Sequence, residues 1–554
     1  MTNKNILFIM FDQLRFDYLS CAGHPHLHTP HIDRLASKGV RFTRAYVQSP
    51  ICGASRMSTY TGRYTSSHGA QWNGFPLRVG EQTMGDHLRK IGMDCWLIGK
   101  THMRADAEGM ARLGLEPDSL IGARQAECGF DVWLRDDGLW AEGPEGFYDQ
   151  RRSPYNEYLN AEGYETENPW HDYANSGVAG DDIASGWFMA NADKPANIDE
   201  ENSETPWLTT ETIKFIQDRI AKSSGPWCAH VSYIKPHWPY IVPAPYHDMF
   251  GANHVPAPNR SEAEKIDTHP VFAAFMDTMI GKGFSREEVR QKAIPAYMGL
   301  IKQCDDQMGR LFAYLEHSGQ MDNTMIVITS DHGDYLGDHW LGEKDLFHEC
   351  SVKVPLIIYD PSAAADATRG TTCDELVEQI DLAATFIDFA GGKVPGHIVE
   401  GRSLLPFLHG QTPDTWREFA ISEYDYSVRP FAAKLVKSTH DARLFMVTDK
   451  RWKFMHAEGG FRPMLFDLEN DPGELVDLGG GTDHDDIIAL MYARLGQWAR
   501  RNSQRVTRSD DDLAAMSGKS LRRGILLGLY DGSEVSPDLT VKYFGKAPPP
   551  RAKP

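Results

Sequence analysis

Short apolar runs recur along this chain at wide intervals, and their length limits what they can be. Ile6–Phe11, Cys95–Ile98, Trp227–Tyr233, Met325–Thr329 and Pro355–Tyr359 are too brief for buried helices and carry β-branched and aromatic side chains, the pattern of core strands. Longer stretches with helical spacing stand elsewhere: Ile32–Lys38, Gln82–Ile91, Thr209–Lys222, Ala296–His317, entered just after Pro295, and Leu376–Ala390. Such alternation predicts an α/β fold, a parallel sheet covered by helices.

Around this framework the texture changes twice. From about Leu113 to Asn202 the chain is rich in Gly, Asp, Glu, Trp and Tyr without a sustained period, which reads as a long insertion near an active-site mouth. After Pro406-Phe407-Leu408-His409-Gly410, short strands at Phe419–Ser422, Ala442–Thr448 and Trp452–His456 precede a helix near Asp485–Arg501. The expected division is a catalytic domain over 1–410, an α+β lobe over 411–503 and a tail over 504–554. That tail ends in a Pro-rich basic run unable to pack a core, and reads as disordered or as an oligomerisation arm. A chain of 554 residues can bury a large core and form more than one lobe.

A formal net charge of −20 argues against general affinity for nucleic acid or an anionic membrane. No run approaches the roughly 18 apolar residues of a membrane span. The eight cysteines are scattered without metal-type spacing, as in reduced thiols of a cytoplasmic protein. Met1–Asn5 leads directly into an apolar run too short for a signal-peptide core.

Chemistry concentrates first in Ser49-Pro50-Ile51-Cys52-Gly53-Ala54-Ser55-Arg56-Met57-Ser58-Thr59-Tyr60-Thr61-Gly62-Arg63. A helix starting near Cys52 would place Arg56 one turn on, and its first N–H groups with that guanidinium would suit a tetrahedral oxyanion. A lone cysteine in such a stretch is ordinarily a small core side chain. Asp12-Gln13 follows the first strand and Asp331-His332 follows Met325–Ser330. Ligands of open α/β sheets gather at the carboxyl ends of strands, so the pairs can meet; taken singly, each is an ordinary turn or cap. Lys100 and His102 follow another strand, His237 lies in Ile234–Tyr240, and Lys344 in Leu341–Asp345. In an acidic chain, Arg56, Lys100 and Lys344 are the candidates to meet an anionic substrate.

The Cys52–Arg63 string resembles the signature of type I sulfatases and the related phosphonate monoester hydrolases, whose cysteine is oxidised to formylglycine. Ala54 stands where that family most often has proline. The resemblance spans nearly the whole chain through Thr29–Ala36, Glu400–Leu405 and Leu465–Glu474. It implies an alkaline-phosphatase-like mixed sheet, a small anionic ester as substrate, and a divalent ion held by Asp12, Gln13, Asp331, His332 and modified Cys52. An imidazole among the ligands favours Mn²⁺, with Ca²⁺ second. The Asp-Gln and Asp-His pairs look like phosphonate monoester hydrolases, as does Asn73, which matches a substrate-binding asparagine. Lys100-x-His102 looks instead like sulfatases, where the phosphonate branch has Tyr-x-Thr.

The implied catalytic set is Cys52, Arg56, Lys100, His102, His237 and Lys344, and the implied activity is an arylsulfatase with phosphonate monoesters and phosphodiesters as further substrates. In that mechanism the hydrated aldehyde attacks sulfur, the cations offset charge, His237 or Lys344 protonates the leaving oxygen, and His102 helps expel sulfate. A phosphonate monoester hydrolase is the alternative, and a non-catalytic anion-binding protein is the reading from another class. A formylglycine-generating maturation enzyme and a homodimer or homotetramer are the expected partners. Trp133, Trp140, Tyr148, Tyr155 and Tyr158 would suit an aryl alcohol.

Overall fold

The computed structural model describes residues 4–138, 153–223, 225–436, 438–501, 506–517 and 528–538. In chain order its strands are β1 Asn5–Asp12, β2 Val40–Tyr46, β3 Asp94–Gly99, β4 Asp131–Arg135, β5 Ser176–Ala179, β6 Asp182–Ser185, β7 Trp227–Pro236, β8 Thr324–Ser330, β9 Leu356–Tyr359, β10 Thr371–Glu378, β11 Ala420–Asp425, β12 Arg443–Thr448, β13 Trp452–Ala457 and β14 Met464–Asp467. The large sheet is ordered β10-β2-β9-β8-β1-β7-β3-β4. Along β1, Ile6, Phe8 and Met10 enter one apolar layer while Leu7, Ile9 and Phe11 enter the other. This alternation buries both faces of the strand and explains its unbroken apolar run.

β1 pairs in parallel with both β8 and β7, and β7 pairs in parallel with β3. Their carboxyl ends therefore share one edge of the sheet, which is where Asp12, Asp331, His237 and Lys100 emerge. The sheet is mixed, in line with the resemblance and not with the alternation pattern: β9 runs antiparallel to β2 and β8.

Other expectations needed correction. The helix expected after Pro295 spans Glu287–His317 and contains that proline. Burial of Val289, Ala293, Ile294, Ala296 and Tyr297 around it outweighs the hydrogen bond that the ring removes. Leu376–Ala390 divides into the end of β10 and a helix over Asp381–Phe389. The stretch read as an insertion supplies β4, an edge strand of the main sheet, besides helices Leu120–Ala126 and Pro154–Ala161 and the β5–β6 hairpin. Trp140, Tyr148 and the Pro-rich terminal run lie outside the described residues.

The antiparallel sheet β11-β12-β13-β14 follows, with a helix over Asp485–Ala499. Pro395–Ile398 and the described residues beyond Arg501 form a second unit, in which Ser509 caps a helix over Asp510–Met516. Among the described residues no helix is long and apolar enough to cross a membrane.

Candidate active site

Cys52 opens a helix, Cys52–Thr61, whose ten residues are all buried, and Gly62 ends it in the left-handed region at φ 66°. Thr-Gly is thus the expected stop, since a glycine adopts that conformation without a Cβ penalty. At the helix start the N–H of Gly53 donates to Asn73 Oδ1 at 2.8 Å. That capping contact takes up one of the N–H groups expected to face an anion, and it turns the Asn73 oxygen toward the helix.

Four donor groups converge beside the thiol. Asp12, Cys52, Asp331 and His332 are all buried, and one ligand atom from each lies within 4.8 Å of the others. Cys52 Sγ is 3.0 Å from His332 Nε2 and 3.9 Å from Asp12 Oδ1. His332 Nε2 lies 3.6 Å from Asp12 Oδ1 and 3.7 Å from Asp331 Oδ1. The arrangement fits a divalent cation, because each donor is aimed by a second contact. His332 Nδ1 meets the Gly333 carbonyl at 2.8 Å, which requires a proton there and leaves Nε2 as a lone pair facing the cluster. Asp12 Oδ2 meets Arg56 Nη2 at 3.2 Å and Lys100 Nζ at 2.6 Å, while Asp331 Oδ2 meets Arg56 Nε at 2.8 Å. In both carboxylates Oδ1 is left toward the cluster.

Gln13 borders this cluster with φ 67°. Its Nε2 donates to Asp334 and to Tyr240, so Oε1 points the other way and accepts from Lys344 Nζ at 3.3 Å. Lys344 Nζ also lies 3.4 Å from His237 Nε2. The His237 Nδ1 contact with the Trp238 carbonyl at 2.8 Å fixes its proton on Nδ1, so Nε2 accepts. His102 adopts φ 55°, and its N–H donates to Asp137 at 2.8 Å. Its imidazole faces Cys52, with Nδ1 buried and unpartnered among the described residues.

Electrostatics follow from burial against these neighbours. Burial alone would raise the Asp12 carboxyl, yet the Lys100 ammonium and the Arg56 guanidinium hold it well below the usual carboxylate range. Burial disfavours the Lys344 ammonium, but Cys52, Glu343 and Asp12 outweigh that and raise its proton affinity. Lys100 stays charged against burial through Asp12 and Cys52. Burial pushes His237 well down, with Lys344 and Lys100 adding to it, and burial with Lys100 lowers His102. The site therefore combines fixed ammonium groups with neutral imidazoles, a pairing suited to anionic esters and proton movement.

The sulfatase family model matches residues 4–392, and one described as N-sulphoglucosamine sulphohydrolase, C-terminal, matches residues 337–501. The chain belongs to the sulfatase family. It is 30% identical over 536 residues to the multifunctional alkaline phosphatase superfamily protein PehA of Trinickia caryophylli, covering 91% of this chain and 97% of that one. It is 29% identical to an arylsulfatase of Clostridium perfringens, covering 88% and 92%. The phosphonate monoester hydrolase SpPMH from Silicibacter pomeroyi superposes with TM-score 0.79 at 28% identity, covering 91% of this chain and 97% of that structure. This sulfatase-family enzyme is a sulfuric ester hydrolase by class, and its family implies a metal ion and formylglycine.

The site gathers Asp12, Gln13, Cys52, Arg56, Asn73, Lys100, His102, His237, Asp331, His332 and Lys344, but two expectations change. Arg56 does not face an open anion pocket: besides Asp12 and Asp331, its guanidinium donates to Ser232 Oγ at 2.7 Å and to the Lys100 carbonyl at 3.2 Å. It lies behind the carboxylates and holds them. Trp133 packs on Phe215, and Tyr155 and Tyr158 on Trp207, so these aromatics serve the core. Sequence reasoning missed Asp334, Tyr240 and Ser232. Asp334 carried a visible signal, two positions after His332 in Asp331-His332-Gly333-Asp334; Tyr240 and Ser232 carried none.

Proposed function

We propose that this enzyme hydrolyses sulfate monoesters of the aryl type. Lys100 and His102 beside Cys52 carry the reading, because an ammonium with a neutral imidazole matches a compact monoanionic ester and its proton traffic. Asp12, Gln13, Asp331 and His332 with residue 52 are the groups to hold the ion. One nitrogen among oxygen donors supports Mn²⁺ ahead of Ca²⁺. When bound, the ion together with formylglycine at position 52 supplies a nucleophilic oxygen at neutral pH.

The remaining chemistry belongs to this chain's side chains. Arg56 keeps the Asp12 and Asp331 carboxylates in register. Lys100 and Lys344 offset the charge of the ester oxygens. Lys344 holds the proton destined for the leaving oxygen, and neutral His237 Nε2 accepts from that ammonium and orients it. His102 offers an unprotonated nitrogen to position 52. Asn73 fixes the start of the Cys52 helix and can present its amide nitrogen to the substrate. Because Cys52 is wholly buried, a formylglycine-generating enzyme must reach it before folding is complete. The eight free thiols support a cytoplasmic setting, and a homodimer or homotetramer built with the 504–554 arm completes the proposal.

Phosphonate monoester hydrolysis is the second reading, favoured by the Asp12-Gln13 and Asp331-His332 pairs and by Asn73. The test is kcat/KM for an aryl sulfate against an aryl phosphonate monoester on one preparation. Sulfate preference is expected, and replacement of Lys100 by Tyr with His102 by Thr is expected to lower the sulfate-to-phosphonate ratio by about tenfold or more. A large phosphonate preference in the parent enzyme overturns the ranking. Absence of turnover on both esters, in protein whose mass shows position 52 converted to the aldehyde, would favour the anion-binding alternative.

A further inference from the structure

Lys344 sits in an unusual piece of chain. Both neighbours, Glu343 at φ 55° and Asp345 at φ 112°, occupy left-handed backbone conformations without being glycine, a strained arrangement that persists only where the surroundings impose it. The imposing contacts come from β11 and the segment that follows it. Arg429 donates to both Asp345 carboxylate oxygens, and Tyr424 Oη donates to Asp345 Oδ1 at 2.9 Å. The same guanidinium lies 5.1 Å from the Trp72 ring centroid, and Trp72 stacks on Tyr424 with centroids 5.5 Å apart. Trp72 adjoins Asn73, whose oxygen caps Gly53 next to Cys52.

We propose that Arg429 is a positioning residue for the reaction: through Asp345 it fixes the Lys344 ammonium, and through Trp72 it braces the loop that caps the Cys52 helix. Its planar fork can grip a carboxylate and stack on an indole at once, which a lysine cannot. Without it, Asp345 becomes a buried carboxylate held by one hydroxyl, its chain neighbour being the ammonium that the site needs elsewhere. The inference rests on Lys344 as the holder of the leaving-group proton.

That dependence supplies the test. A misplaced proton donor costs most where the leaving alcohol is a poor one and least where it departs unaided. Arg429→Ala, Arg429→Lys, Asp345→Asn and Lys344→Ala are assayed on phenyl sulfate and 4-nitrophenyl sulfate, with thermal midpoint and bound metal measured in parallel. Expected for Arg429→Ala is a loss of roughly 30-fold or more in kcat on phenyl sulfate and only about threefold on the nitrophenyl ester, with KM little changed. Arg429→Lys should recover part of the loss, and Asp345→Asn should show the same leaving-group selectivity. Equal losses on both esters in Arg429→Ala, with selectivity kept in Lys344→Ala, overturn the positioning role alone. Equal losses in Lys344→Ala overturn the proton-holding role and this inference with it.

Discussion

Asp12 and Asp331 do different things with their two oxygens, and the division is set by Arg56. Each gives Oδ2 to the guanidinium and turns Oδ1 toward His332. A buried cation with several fixed acceptors cannot be exchanged for a shorter-reaching one. Arg56→Lys keeps the charge but cannot span Asp12, Asp331 and Ser232, so it should lose about 100-fold or more in kcat/KM, about 3 kcal/mol of transition-state stabilisation. Steady-state kinetics on an aryl sulfate, with circular dichroism to confirm folding, checks this. Asp334 acts one contact further out by fixing which way the Gln13 amide faces. Asp334→Asn offers an amide to an amide and permits the reversed orientation, with nitrogen toward Lys344. The expected result is a fall of about 10- to 100-fold in metal affinity, the usual cost of losing an outer-shell partner, read by titrating chelated protein with Mn²⁺ and following its thermal midpoint. Unchanged affinity would leave Asp334 as packing.

At the level of elements, β1, β3, β7, β8 and β9 were legible because strands buried on both faces read as continuous apolar runs. β2, where half-exposed Arg41, Thr43 and Arg44 interrupt buried Val40, Phe42 and Ala45, and β10, polar through Glu375, were hidden by their exposed positions. β4 was masked by a polar neighbourhood. The same logic governs the site. Residues emerging from strand ends could be found by position, whereas Tyr240, Ser232 and Arg429 reach it through tertiary folding and left no local pattern. Arg56 was found but assigned the wrong neighbours, since i and i+4 spacing says which face a residue shares and not what that face meets. Gly99 shows how closely an element can be constrained. It ends β3 just before Lys100 with φ 107°, and a Cβ there would lie 2.2 Å from the Ser232 carbonyl oxygen on β7. Gly99→Ala must strain the backbone or part the strands, so a loss of roughly 2 kcal/mol or more in urea unfolding is expected. Activity should fall further than the folded fraction because Lys100 moves with the strand end.

Across the whole molecule, the two apolar layers and their margins bury titratable groups outside the catalytic set, and these shape its response to pH. Burial, helped by Arg63, pushes His68 down to about 3, and burial with Arg56 pushes His230 down to about 3. Both are neutral in the folded chain and take up protons in the unfolded chain below about 6.5, so their contribution is present above that pH and lost as pH falls toward their folded values. Glu127 and Glu423 run the opposite way. Burial raises each to about 7, so the folded state holds their protons more tightly than the unfolded state, where the value is about 4.3. Their contribution is present below that unfolded value and is lost as pH rises through about 7. Glu423 isolates this second slope, since Oε1 accepts the Ser66 N–H at 3.0 Å and a carboxamide can keep that bond. Glu423→Gln never ionises, so its thermal midpoint relative to the parent should be flat below about pH 4 and climb steadily between about pH 5 and pH 8. Thermal melts of both proteins in matched buffers measure that difference, and a difference independent of pH across this range would mean that folding leaves the Glu423 proton affinity unchanged.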